Sequence, residues 1–94
     1  MECEVSYCDS ERITHSVTVP ADSLFEACIR ALAAFQKSGL DAPGRVSELT
    51  VKVCQPSTSH TIRLARALDW LANSGRSPKE QSLKVKLREI VAVD

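Results

Sequence analysis

Two histidines, four cysteines and a cluster of basic side chains in the second half are the residues of this chain whose types could do chemistry. Metal binding is the first possibility. Cys3 and Cys8 are separated by an odd number of positions, so in an extended segment they point to opposite faces. Cys28 falls on the apolar line of a helix, where a reduced cysteine acts as a small apolar filler. Cys54 and His60 flank a short polar turn and are the one pair expected to approach each other. Two ligands do not close a four-coordinate zinc site. All four cysteines are therefore expected to be free thiols, and neither a metal nor a cofactor is expected.

Proton transfer is the second possibility. His15 and His60 both have the parity of core-facing strand residues, and either could act as a general base beside a carboxylate. The ordinary role of such a histidine is at a sheet margin, with one nitrogen on backbone and the other in water. Glu2 and Glu4 share one face of the first extended segment, at the start of the chain. No serine lies in a nucleophile elbow, and no glycine-rich phosphate loop is present. The chain is not expected to be an enzyme.

Arg63, Arg66, Arg76, Lys79, Lys84, Lys86 and Arg88 are the third candidate set, for a nucleic-acid backbone or an acidic partner. Lys84 and Arg88 are one helical turn apart and sit off the apolar line of Leu83, Leu87 and Ile90. Only four aromatic residues are available to stack bases, and the net charge is zero. These cations are expected to form an ordinary solvated face, with nucleic-acid binding as the alternative. Trp70 flanks the Leu68–Leu71 stripe and is expected to seal a helix seam, or, if exposed, to anchor an interface.

The elements that must position these residues follow from periodicity. Residues 2–8 alternate, with Cys3, Val5 and Tyr7 opposite Glu2, Glu4 and Ser6. After the polar turn 9–11 the period of two resumes at Ile13, His15, Val17 and Val19, giving an antiparallel hairpin closed by Pro20. Ser23-Leu-Phe-Glu26 is a capping box. Leu24, Ala27, Cys28, Ala31, Leu32 and Phe35 then run at helical spacing to Gly39, a left-handed stop. Glu26, Arg30 and Lys37 are assigned to its solvated side. A third strand is expected at about 46–54, and a fourth through His60, Ile62 and Leu64, although Ile62 and Leu64 could also open the next helix. Leu64, Ala67, Leu68 and Leu71 set a second helical stripe. Ser77-Pro-Lys-Glu80 is a second capping box, with proline where a missing N–H costs little. Alternation through Leu83, Val85 and Leu87 breaks at Glu89, so the terminal segment is expected to be a helix bearing Leu83, Leu87, Ile90 and Val91. The resulting expectation is an α+β fold, ββαββαα, with an antiparallel sheet of about four strands, one helix on the sheet and a C-terminal helix pair.

Ninety-four residues, 44% apolar and 26% charged, suit one globular domain spanning 1–94. Residues 1–50 carry four basic and eight acidic side chains, and residues 51–94 the reverse. The N-terminus lacks the positive charge and apolar run of a signal peptide, and no apolar run approaches membrane-spanning length. A cytoplasmic location with no membrane partner is expected.

The segment His15-Ser-Val-Thr-Val-Pro-Ala-Asp-Ser-Leu-Phe-Glu-Ala27, with Trp70-Leu71 and the turn Gly75-Arg-Ser-Pro-Lys-Glu80, resembles a group of small uncharacterised bacterial proteins. In these a hairpin leads into a Ser-Leu-(Tyr/Phe)-Glu-Ala helix, and a Trp-Leu helix leads through Ser-Pro-x-Glu into a basic terminal helix. Residues 2–38 are more loosely similar to HicB-like antitoxins, and the opening hairpin and helix resemble the first half of a β-grasp domain. The resemblance implies a bacterial protein and brings no activity with it. The expected function is a small non-catalytic interaction or regulatory module with a protein partner or self-association, and nucleic-acid binding is the alternative.

Overall fold

The computed structural model describes residues 1–39, 42–54, 57–73 and 77–91. Its elements are β1 (Glu2–Cys8), β2 (Thr14–Pro20), α1 (Leu24–Lys37), β3 (Glu48–Cys54), β4 (Ser57–Arg63), α2 (Leu64–Ala72) and α3 (Pro78–Ile90). The order is the expected ββαββαα. The strands form one antiparallel sheet in the order β2-β1-β3-β4, with two hairpins joined at the centre by β1 and β3.

Strict alternation gives the sheet one buried face and one wet face. Across the buried face the register aligns Val17, Val5, Val51 and His60 in one row and Val19, Cys3 and Val53 in the next. Across the wet face it aligns Ser16, Ser6, Thr50 and Thr61, and beside them Thr18, Glu4, Lys52 and Ser59. The buried face is covered by Ala27, Cys28, Ala31, Leu32 and Phe35 of α1 and by Leu64, Ala67, Leu68 and Leu71 of α2, all inside the core.

Local signals set the ends of the elements. Ser23 Oγ accepts the Glu26 backbone N–H at 3.2 Å, and Ser77 Oγ accepts that of Glu80 at 3.2 Å. At the other end of α1, Gly39 takes a φ of +77°, the conformation for which glycine carries no side-chain penalty. Ser23→Ala and Ser77→Ala should each lower unfolding stability by ~0.5–2 kcal/mol in urea titrations, as lost caps do.

Boundaries move in three places. Val46 is not in a strand: it stands 84% exposed in a turn closed by the Ser47 N–H on the Gly44 carbonyl, and β3 begins at Glu48. Ile13 is likewise an exposed turn residue. The fourth strand runs from Ser57, earlier than its apolar residues suggest, and Leu64 opens α2 instead of ending β4.

Two side chains assigned to solvent are buried or partly so. Glu26 is 4% exposed: one carboxylate oxygen accepts the Asp22 N–H at 3.0 Å and the other accepts Arg30 Nε at 2.7 Å. The carboxylate thus caps α1 and pairs within it, which is why burial is tolerated, and half-buried Arg30 is held with it.

In α3 the buried line is Lys84, Leu87 and Val91, at i, i+3 and i+7, while Ile90 stands 38% exposed and Leu83 is half-buried. The helix is therefore rotated from the Leu83–Leu87–Ile90 orientation that its apolar residues alone suggest.

Candidate functional site

The histidines and cysteines separate into structural roles. Asp9 Oδ1 accepts the N–H groups of Glu11 and Ile13 at 2.8 and 2.9 Å, shaping the β1–β2 turn. Its other oxygen lies 2.7 Å from His15 Nε2, whose ring stacks on Tyr7 at 5.1 Å. His15 thus meets a carboxylate, where a backbone partner was the ordinary expectation. An ionised carboxylate can only accept, so Nε2 carries the proton of this bond. The His15 hydrogen bond, then those from backbone, hold the Asp9 carboxyl below its ordinary range. A carboxyl lowered in the folded state stabilises it above the unfolded-state pKa, and that contribution disappears as pH falls through the lower folded value. The thermal midpoint should therefore drop more steeply on acidification below about pH 4 in the parent than in an Asp9→Asn variant.

Cys54 and His60 do not approach each other. The register pairs Cys54 with Ser57 and His60 with Val51, which places the two side chains on opposite faces of the sheet. A one-residue difference in turn length suffices to cause this, because faces alternate with every residue. His60 is exposed and lies 3.3 Å from Thr58 Oγ1. Among the described residues no three His, Cys, Asp or Glu side chains gather as a metal site. All four cysteines are free thiols, with Cys3 and Cys28 buried and Cys8 and Cys54 exposed. Burial pushes the Cys28 thiol up to about 12, and burial also raises that of Cys3. A thiol reagent at neutral pH should therefore label Cys8 and Cys54 in the folded protein, and label Cys3 and Cys28 only after unfolding.

The basic residues divide by position. Lys84 is 3% exposed, which overturns its assignment to a solvated face. Its Nζ donates to the Asn73 carbonyl at 2.9 Å, lies 3.6 Å from Glu80 and sits 4.9 Å from the centre of the Trp70 ring. Arg88 donates from Nε to the Leu71 carbonyl at 3.0 Å, and from Nη2 to the same oxygen.

These carbonyls end α2, which has no basic residue in its own last turn. Two cations of α3 therefore complete the C-terminus of α2, supplying donors to carbonyls that have no partner within the helix. The sequence carries only part of the signal: a helix without a basic last turn is followed by one with a lysine and an arginine at i and i+4, but no local rule sets the two helices side by side.

Of the rest, Lys79 and Lys86 are exposed on α3, and Arg76 lies outside the described residues. Arg63 and Arg66 are exposed where β4 runs into α2. Arg63 has only a long, open contact with Glu48, 3.9 Å, and Arg66 has no ion pair among the described residues.

These two arginines border a groove of about 520 Å³ between β4 and the start of α1, floored by Leu24, Phe25 and Ile62. The groove exists because α1 packs over β1, β2 and β3, leaving the β4 side of its N-terminus open. Trp70 lies outside the groove, behind Phe25 of its floor. It is half-buried and stacked on Phe25 at 5.9 Å, with the Lys84 ammonium against its ring, so it seals the helices together and supports the groove.

No helix among the described residues is long and apolar enough to cross a membrane. The chain matches no protein-family model, no curated protein and no solved structure.

Proposed function

We propose that this chain is a small, non-catalytic interaction module of a bacterial cytoplasm that engages a protein partner along β4. One observation carries the reading. An edge strand exposed at every residue but Ile62 runs beside a groove with an apolar floor and an arginine rim. An edge strand offers unpaired backbone donors and acceptors, half-buried Phe25 and Ile62 offer apolar area, and the arginines offer charge. His15 and the buried cysteines, by contrast, are accounted for by turn formation and packing, while His60 stands exposed on β4 and lines the groove. Of the cations on which the nucleic-acid alternative draws, Lys84 is buried and Arg88, although exposed, is bonded to the Leu71 carbonyl.

Peptides selected from a random displayed library on the immobilised chain should slow amide exchange along β4 and shift the emission of Trp70, the sole tryptophan. Selection that returns only peptides leaving β4 amides unprotected would overturn the reading. So would a mobility-shift titration showing micromolar binding of mixed DNA or RNA at low salt.

A further inference from the structure

We propose that the partner contributes an extended acidic segment that adds to β4 as a fifth strand, with apolar side chains entering the groove and carboxylates meeting Arg63 and Arg66. The inference rests on the reading above and specifies the ligand.

Ser57-Thr-Ser-His-Thr-Ile-Arg63 is seven residues long, contains no proline and carries its single charge at one end. Natural edges are protected by prolines, inward lysines, bulges or covering elements, and this one has none of the residue-type defences. The opposite edge, β2, ends on Pro20. Backbone pairing along an open edge supplies affinity, and pockets for alternate side chains supply selectivity.

Parity sets which side chains such a segment needs. His60 and Ile62 lie on the helix-covered side of β4, while Thr61 and Arg63 lie on the wet side. A strand laid beside β4 inherits this alternation. Residues level with Ile62 would point into the groove, where Phe25 and Leu24 form the floor. Residues level with Arg63 would point to the wet side within reach of its guanidinium, whereas Arg66 lies on α2 at the end of the groove and would be met by a carboxylate where the segment runs past Arg63. An alternating apolar–acidic segment satisfies both sides at once.

Charge also separates this occupant from a second copy of the chain. A two-fold β4–β4 pairing is antiparallel, so it would set Arg63 of each protomer beside the uncharged Ser57 end of the other and leave the arginines without a counter-charge. An acidic segment neutralises them instead.

The test uses a capped peptide of about nine residues alternating valine and glutamate, long enough to cover β4. Beside it stand the same peptide with lysine for glutamate and the glutamate peptide N-methylated at alternate residues. The glutamate peptide should bind the full chain, shift Trp70 emission and protect β4 amides. The lysine and N-methylated peptides should bind at least about tenfold more weakly. The double variant Arg63→Glu, Arg66→Glu should reverse the preference between the charged peptides. If that variant loses its helical circular dichroism, the comparison on the unmodified chain still decides.

No binding of the glutamate peptide, equal binding of both charged peptides, or protection confined to β2 would overturn the inference. Sedimentation showing a β4-protected dimer that excludes the peptide would overturn it in favour of a second copy. Displayed peptides that occupy the groove as helices would overturn strand addition while leaving the interaction module standing.

Discussion

Lys84→Glu is expected to destabilise the protein by about 3–5 kcal/mol, the range observed when one partner of a buried charge pair is lost. The side chain is 3% exposed and donates to the Asn73 carbonyl beside the Glu80 carboxylate. Glutamate there would place a second carboxylate against Glu80, face a carbonyl oxygen with no proton to offer, and lose the ammonium from the Trp70 ring. Lys84→Met keeps the apolar stem that packs under the indole. Glu80 is one-third exposed and can turn to water. The methionine variant should therefore cost less, about 1–3 kcal/mol, the loss expected when the Asn73 carbonyl is left without its donor. Urea unfolding followed by circular dichroism distinguishes the two. A Lys84→Glu protein as stable as the parent would show that the ammonium is not held in the α2–α3 seam.

Arg88 belongs to the same unit, since its Nη2 also approaches the Asn73 carbonyl, at 3.4 Å. Losses at the two cations should not add, because groups sharing a partner couple. Charge reversal at Lys84 and Arg88 is consequently a poor probe of nucleic-acid binding. It would damage the α2 terminus before any phosphate contact was measured. Arg63 and Arg66, which contribute little to the fold, are the suitable positions.

The fold is legible in the sequence where a local rule governs the residue. Two capping boxes located the starts of α1 and α3, and a glycine located the end of α1, because each satisfies backbone groups within a few residues of itself. Alternation assigned the faces of β1 and β3 for the same reason. Legibility ends where the deciding partner is distant. Lys84 looks like a surface residue until the Asn73 carbonyl, 11 positions earlier, is placed beside it, and Arg88, which is exposed as expected, gives no sign of its bond to the Leu71 carbonyl, 17 positions earlier. Glu26 is half legible: the capping box announces its reach toward the helix start, but its burial depends on what packs over it. The groove was not legible at all. Ser23, Phe25, Ile62 and Arg66 carry no common motif, and only the placement of α1 away from β4 assembles them.

Leu87→Ala should cost about 2–5 kcal/mol, whereas Ile90→Ala should cost less than about 1 kcal/mol, and this contrast measures the rotation of α3. Both residues lie on the apolar line that the sequence alone suggests, so that line predicts similar losses. In the structure Leu87 is fully buried in the core while Ile90 is 38% exposed. Truncating Leu87 leaves a cavity among packed neighbours, but truncating Ile90 removes atoms that already touch water. The expected cause of the rotation is the cation pair. Lys84 and Arg88 must face α2 to reach its terminal carbonyls, and with Lys84 inside, Leu87 and Val91 follow it at i+3 and i+7 while Ile90 swings outward. In a Lys84→Met, Arg88→Ala background the carbonyl contacts are gone, and α3 is free to settle on the line Leu83–Leu87–Ile90. There the cost of Ile90→Ala should rise toward that of Leu87→Ala. An unchanged gap between the two substitutions in that background would mean that apolar packing, and not the cations, sets the orientation of the helix.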